Sequence, residues 1–139
     1  MLIEKKKNEK KLWLASRKGD IDEVKVLLSS GGWMDVNCVA GEYQSTPLIE
    51  AAYQVHSEVV TFLLHKKADP NVADSRGKTP LYFAIIHNLF GCEEVIQLLL
   101  ERGADPDKAD KEGQTPLQFA AEEGHEDIVQ ILRLWKTDK

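Results

Sequence analysis

Four histidines and two cysteines are the residues of this chain best suited to nucleophilic, acid–base or metal chemistry. Catalysis needs a nucleophile, a base and an orienting group that converge, and the scattered histidines suggest no such arrangement. His87 and Cys92 are five residues apart and could share a metal ion, but two ligands are too few for a structural zinc site. HExxH, GxSxG and a glycine-rich phosphate loop are all missing. We therefore expect no enzyme activity, no cofactor and no metal.

Composition and charge narrow the function further. The 139 residues are 42% hydrophobic and 29% charged, typical of a globular protein, and no apolar run approaches the ~18 residues of a membrane span. Residues 1–37 carry a net charge of +2 and the remainder carries −7, which argues against nucleic-acid binding. Two cysteines outside a CxxC spacing and a polar N-terminal stretch favour a reducing compartment, either cytoplasmic or nuclear.

An internal repeat organises the chain. The triplet Thr-Pro-Leu begins at Thr46, Thr79 and Thr115, with spacings of 33 and 36 residues. Apolar stretches recur in phase with it, as EVKVLLS, EVVTFLL, EVIQLLL and DIVQILR. We interpret the chain as one domain, residues 1–139, of four repeats at about 8–37, 38–71, 72–107 and 108–137, the first without the triplet.

Each repeat is predicted to form two helices. The threonine of each triplet accepts a backbone N–H bond as an N-cap, and the proline that follows fits the first helical position. Asp20 and Glu23 form a capping-box pattern at the second helix of the first repeat, and Ser57 is the predicted cap of the next. Gly31 and Gly103 are predicted left-handed caps at helix ends. Because one helix pair cannot bury both faces, stacked pairs must share a core, as in a solenoid.

These letters resemble the ankyrin repeat, whose pattern residues 108 to 132, KADKEGQTPLQFAAEEGHEDIVQIL, follow almost throughout. The resemblance implies an all-α helical repeat, an ankyrin-type solenoid of antiparallel helix pairs with hairpin-like loops and a concave binding face. The first repeat resembles an N-terminal capping repeat. The family histidine after Thr-Pro-Leu is replaced by Trp13, Ile49, Tyr82 and Gln118, so its local bond to threonine is expected to be lost in every repeat.

The resemblance also implies where a partner binds. The predicted contact positions on the first helices are Arg17, Lys18, Tyr53, Gln54, Ile86, His87, Glu122 and Glu123. The predicted positions on the loop tips are Tyr43, Arg76, Lys78, Lys111 and Glu112. The helix positions change from basic through apolar to acidic along the stack, so a partner segment of acidic, apolar and then basic character would be complementary in one orientation. The alternative is that Tyr53, Ile86 and His87 only cover the adjacent helices.

Other positions leave a structural and a functional reading open. Trp33 with Met34, and Leu89 with Phe90 in a three-residue insertion at Leu89 to Gly91, are either packed or second contact surfaces. His56 and His125 are expected to cap the helices that they precede. Asn37 and Asn71 occupy positions that some family members hydroxylate, and a hydrogen-bonding role within the loop is the alternative.

The sequence thus predicts a module that binds another protein or peptide, as an adaptor, scaffold or inhibitor that is a monomer on its own. The main alternative is a targeting or substrate-recognition fragment of a larger multidomain protein whose activity lies outside this chain. An enzyme is the remote alternative. No nucleic-acid and no membrane partner is expected.

Overall fold

The computed structural model of the chain describes residues 2–29 and 34–137. Eight α-helices lie within these residues: α1 (Leu2–Lys18), α2 (Ile21–Ser29), α3 (Pro47–Tyr53), α4 (Ser57–His65), α5 (Pro80–Ile86), α6 (Cys92–Glu101), α7 (Pro116–Glu122) and α8 (Glu126–Thr137). Among the described residues there is no strand beyond one antiparallel bridge between Ala40 and Ser45. The all-α helical repeat expected from the sequence is confirmed.

The triplets start helices as predicted. The Oγ1 atoms of Thr46, Thr79 and Thr115 each accept a hydrogen bond from the backbone N–H three residues later, and proline occupies the first helical turn. Each cap satisfies one of the N–H groups that a helix start leaves without a partner. A short and purely local signal therefore determines where α3, α5 and α7 begin.

The predicted signals for the other helices have mixed outcomes. Asp20 Oδ1 accepts the Glu23 N–H at 3.2 Å, but the Asp20 N–H is donated to the Ala15 carbonyl, so only one bond of the capping box is shown. The prediction that Ser57 caps α4 is wrong, because Ser57 is already the first helical residue and His56 is the N-cap. Gly103 has a φ of +97° beyond the end of α6, as predicted, and Gly31 lies outside the described residues.

The core lies between successive helix pairs. Helix α3 packs between α1 and α5, and α7 packs on α5, while α4 packs between α2 and α6. Ala15, Ala51, Ala84 and Ala120 are buried at matching positions of the four first helices. Leu63, Leu99 and Leu132 are fully buried in the second helices. Small side chains in one row and large ones in the other let each pair fit against the next.

The loops between repeats also stack on one another. The Ser75 N–H donates to the Tyr43 carbonyl at 2.7 Å, and the Lys111 N–H donates to the Arg76 carbonyl at 3.1 Å. Gly77 has a φ of +80°, and a Cβ atom there would lie 2.8 Å from the Lys111 backbone nitrogen. Glycine is therefore required at position 77 both for its backbone conformation and for the close approach of the next loop.

The family's bond between histidine and threonine has no histidine to form it in any repeat, but in the fourth repeat Gln118 provides a bond in its place. Gln118 Oε1 accepts the Thr115 N–H at 2.9 Å and completes a capping box. In the first repeat the Trp13 indole N–H donates instead to the carbonyl and hydroxyl oxygens of Ser45, 32 residues away. Trp13 and Gln118 thus make side-chain bonds of their own, the first between repeats and the second within one helix start.

Comparison of Gly77→Ala with Gly113→Ala tests the close approach of the loops. Both glycines have left-handed backbones, so each alanine is expected to cost about 1 kcal/mol of unfolding free energy. Only Gly77 has backbone atoms of the next loop within 4 Å, and Gly77→Ala is expected to cost about 1–2 kcal/mol more. Urea unfolding followed by circular dichroism measures both losses, and equal losses would contradict the close approach.

Candidate functional site

A concave pocket of about 450 Å³ lies where α1, α3 and α5 face the loop tips of the first two connections. Its floor is apolar, because Ile49 and Phe83 form a small buried cluster against which Tyr53 and Ile86 pack. Its rim is polar. Five of the thirteen contact residues predicted from the sequence line this pocket: Arg17, Tyr43, Tyr53, Arg76 and Ile86.

Tyr53 is held in place by two neighbouring rings. Its ring meets Phe83 edge-to-face with 5.7 Å between centroids, and it lies 5.1 Å from the His87 ring. Its hydroxyl is 3.1 Å from His87 Nε2. Tyr53 and Ile86 are half-buried and His87 is exposed, so the aromatic side chain covers α5 and still presents a surface to the pocket. The two sequence-based readings of Tyr53 are therefore compatible with each other.

Arg17 is the cation at the α1 edge of the pocket. Its side chain is 56% exposed, and the nearest carboxylate, of Glu50, lies 3.9 Å from its Nε atom. Glu50 is further engaged because Oε2 accepts the Ser45 hydroxyl at 2.7 Å. An exposed pair at this distance contributes little to stability, so most N–H groups of Arg17 are available to another anion.

Arg76 is the cation on the loop side of the pocket, and its position is fixed within the protein. Its Nε and Nη2 atoms donate to Asp74 Oδ2 at 3.2 and 2.9 Å. Its guanidinium carbon lies 3.7 Å from the centroid of the Tyr43 ring, a close cation–π stack. The pair of Arg76 and Tyr43 is thus a preorganised flat surface at the loop tip.

Lys78 is engaged in a contact between repeats. Its Nζ lies 3.0 Å from Asp110 Oδ2, 32 residues away, and 4.1 Å from the Tyr82 ring centroid. Burial alone would raise the pKa of Asp110, but hydrogen bonds from Lys78 and from the Gln114 and Glu112 amides lower it below its usual value. Burial would lower the pKa of Lys78, and the bond to Asp110 raises it instead.

A second, polar pocket of about 360 Å³ lies toward the other end of the concave face. Lys78, Glu112 and Glu122 are the predicted contact residues that line it. Gln114 donates its Nε2–H to Glu122 Oε2 at 2.7 Å. Because Lys78 is already paired with Asp110, the exposed carboxylates of Glu112 and Glu122 give this pocket an acidic character.

The remaining predicted residues are exposed but line neither pocket: Lys18, Gln54, His87, Lys111 and Glu123. Sequence reasoning missed Trp13, Ile49 and Phe83, which line the first pocket. Trp13 and Ile49 stand where the family pattern has histidine after Thr-Pro-Leu, and that position was the signal for them.

The positions left open by the sequence divide into packed and exposed ones. Met34 packs against the core, and Trp33 lies outside the described residues. Leu89 and Phe90 are exposed between α5 and α6, with Phe90 fully so. His56 occupies the N-cap position of α4, but its side chain makes no cap bond, and Nε2 lies 3.1 Å from the Arg17 carbonyl oxygen instead.

The two asparagines that the sequence left open join neighbouring loops. Asn37 Oδ1 accepts the Asp69 N–H, and Asn71 Oδ1 accepts the Asp105 N–H. These bonds extend to the following repeat and are not confined to the loop that contains the asparagine. The described structure therefore gives both residues a structural role.

The thiols show no sign of nucleophilic activation. Burial, with smaller contributions from the charges of Glu9 and Asp35, raises the pKa of Cys38 to about 12. Burial also raises the pKa of Cys92. Both cysteines therefore stay protonated at neutral pH. In residues 2–29 and 34–137, no three His, Cys, Asp or Glu side chains are grouped to hold a metal ion. None of the helices in these ranges has the length and apolar composition to cross a bilayer.

Comparison with known proteins gives consistent matches. The sequence profile described as "Ankyrin repeats (3 copies)" matches residues 1–74 and again residues 66–139. A putative ankyrin repeat protein of Rickettsia felis is 33% identical over 81 residues, which are 58% of this chain and 26% of that protein. Ankyrin repeat domain-containing protein 40 of mouse and of human is 33% identical over 96 residues, 67% of this chain and 26% of each relative. The matches thus span about a quarter of the length of these relatives.

The pair of Lys78 and Asp110 can be tested by Lys78→Met, which keeps an apolar stem near Tyr82. The variant is expected to lose about 2 kcal/mol of unfolding free energy at pH 7, because Asp110 is left partly buried without its cation. Lys111→Met is the matched control, since the Lys111 side chain is exposed. A loss equal to that of the control would contradict the role of the pair.

The pH dependence of the stability that this pair contributes follows from the shifted pKa values of Asp110 and Lys78. The lowered pKa of Asp110 gives stability that is present above the unfolded value of 3.8 and is lost as the pH falls through the folded value. The raised pKa of Lys78 gives stability that is present below 10.5 and is lost as the pH rises through the folded value. The difference in unfolding free energy between wild type and Lys78→Met is therefore expected to be constant from about pH 5 to 9, between the ordinary pKa values of Asp and Lys.

Proposed function

This chain belongs to the ankyrin repeat family, and we propose that it binds a partner protein or peptide through its concave face. Ankyrin repeats are generally protein–protein interaction modules, and the family is generally non-catalytic. The observation that carries the proposal is the 450 Å³ pocket, because it joins an apolar floor to oriented polar groups on helices and loops. We propose no cofactor and no reaction for this surface.

The layout of the pocket matches that of a protein-binding surface. Tyr53 and Ile86 present apolar area, and Arg17 on α1 and Arg76 on a loop tip line the same pocket. Aromatic groups fixed by their neighbours lose little conformational entropy on binding, so they suit the role of anchors. A partner side chain of apolar character would remove this area from water, while the charges set its orientation.

The charges along the concave face define a direction for the partner. Arg17 lies at the α1 end, the apolar floor is in the middle, and Glu112 and Glu122 line the acidic pocket beyond it. An extended partner segment with an acidic, then an apolar, then a basic residue would meet all three in one orientation. The reverse orientation would place like charges together and is disfavoured.

A role as adaptor, scaffold or inhibitor follows if the module acts alone. A second candidate is a recognition module within a longer protein, and it is favoured because the matches span about a quarter of each relative. The length of the source gene distinguishes the two. We infer a monomer without nucleic-acid binding, on the acidic net charge, and a reducing compartment, cytoplasmic or nuclear, on the two free cysteines.

Removal of the apolar anchors should weaken partner binding. Tyr53→Ala combined with Ile86→Ser is expected to lower affinity at least tenfold, since buried aromatic anchors carry most of the binding energy. Affinity purification from the native cell, with wild type and variant compared by quantitative mass spectrometry, identifies the partner. The loss is then measured by calorimetry on the purified pair.

Phe90→Ser is the matched control for the anchor variant. It also removes an exposed aromatic group, but on the loop between α5 and α6 and outside the pocket. A folded anchor variant with unchanged affinity would refute binding at the concave face. Loss of binding in Phe90→Ser alone would assign the contact to the insertion instead.

Charge reversal tests the direction of the bound segment. Arg17→Glu and Glu122→Lys are each expected to reduce the association rate several-fold, with a larger effect at low salt. Each reversal should be rescued by the opposite reversal in the partner residue that it faces. A faster association in Arg17→Glu would show that the partner's basic end lies at α1 and that the segment is bound in the reverse orientation.

A further inference from the structure

A second groove crosses the opposite surface of the molecule, formed by α2, α4 and α6. Its volume is about 370 Å³, and it shares no residue with the concave pocket. The groove is lined by side chains from all three helices: Ile21, Lys25, Ser57, Glu58, Thr61, Phe62, His65, Glu94 and Arg102. Apolar surface is exposed to solvent here at Phe62, which is only half-buried.

Two ammonium groups approach the ring of Phe62 from different elements. Lys25 Nζ, on α2, lies 5.9 Å from the ring centroid, and Lys66 Nζ, at the end of α4, lies 5.6 Å from it. Attraction to the ring holds each cation near the groove. Arg102, at the end of α6, joins Lys25 as a second cation of the lining, and Lys66 lies beside the groove.

None of these three cations forms an ion pair with a carboxylate among the described residues. Lys66 and Arg102 lie at the C-terminal ends of α4 and α6, and the helix dipole explains why positive charges are favoured at these positions. It does not account for Lys25, which lies in the middle of α2. The carboxylates of Glu58 and Glu94 belong to the first turns of α4 and α6, where the helix dipole favours them.

We propose that this groove binds an acidic segment of a partner protein that carries an apolar side chain between its carboxylates. The apolar side chain rests on Phe62 and Ile21, and the carboxylates lie near Lys25 and Lys66. Charge complementarity selects this occupant, because the cations nearest the exposed ring have no anionic partner within the described chain. The groove shares no residue with the concave pocket, so this proposal and the proposed binding at the concave face can be tested independently.

A ¹⁵N NMR titration of the full chain tests the proposal. The probe is a blocked pentapeptide with one phenylalanine between two pairs of glutamates. We expect chemical-shift changes at the amides of Lys25, Thr61, Phe62 and Lys66. Peptides with serine in place of phenylalanine, or with lysines in place of the glutamates, are expected to produce much smaller changes.

A pair of charge-matched variants separates the groove from general electrostatic attraction. Lys25→Glu with Lys66→Glu is expected to weaken the peptide about tenfold. Lys6→Glu with Lys10→Glu changes the net charge equally at exposed positions of α1 and is expected to leave the affinity unchanged. Circular dichroism establishes that both variants are folded.

Four results would overturn the proposal. The first is an equal loss of peptide affinity in the two variants, and the second is a set of shift changes confined to the concave face. The third is the absence of any shift change at millimolar peptide. The fourth is the same groove shift changes without peptide, produced by self-association of the chain or by anionic vesicles. Loss of partner binding in the Tyr53 and Ile86 variant has no bearing on this titration. Failure of either proposal can therefore be recognised separately.

Discussion

Every other feature of this molecule depends on the close approach of one helix pair to the next. A single pair of helices, with seven to seventeen residues in each helix, has too little area for a core of its own, so its apolar residues are buried only by its neighbours. Ala51, Ala84 and Ala120 are almost fully buried where the first helices meet, and larger side chains there would separate them. At Gly77 the backbones of adjacent loops are so close that even a Cβ atom does not fit. The spacing of the helices sets the spacing of the loops, and both set the width of the concave pocket.

The outermost described helices contact the loops through a different kind of bond from the one that joins the inner repeats. Asn37 and Asn71 each supply an oxygen to the loop of the following repeat, at the N–H groups of Asp69 and Asp105. In the first repeat the corresponding N–H, of Asp35, is bound by the Glu9 carboxylate of the longer helix α1. At the other end, Asp107 accepts Lys136 of the longer helix α8. Helices α1 and α8 thus contribute charged side chains at loop positions that match those joined by asparagine in the inner repeats.

The parts of this fold that could be predicted from the sequence are those that depend on local signals. Thr46 and its counterparts start helices because cap and proline lie within one turn, and their recognition needs no tertiary information. The N-cap of α4 is His56 and not Ser57, a difference of one residue. The turn at His56 decides it, because the His56 ring contacts the preceding repeat at the Arg17 carbonyl. The pair of Lys78 and Asp110 was missed for a different reason. Lys78 and Asp110 are 32 residues apart and occupy different positions of the repeat, since Asp110 matches Asp74 and Lys78 matches Gln114, so no local signal connects them.

Position in the repeat alone could not define the proposed binding surface. Thirteen positions were predicted from their places in the repeat, but the positions differ in what the protein itself already requires of them. Lys78 neutralises Asp110, and Arg76 is held by Asp74 and stacked on Tyr43. Groups with internal partners contribute shape and rigidity, and a new ligand gains little from competing for their bonds. Arg17, Ile86 and Glu122 retain exposed polar or apolar area. We therefore expect partner choice to depend on these more exposed residues, while the residues with internal partners fix the shape of the pocket.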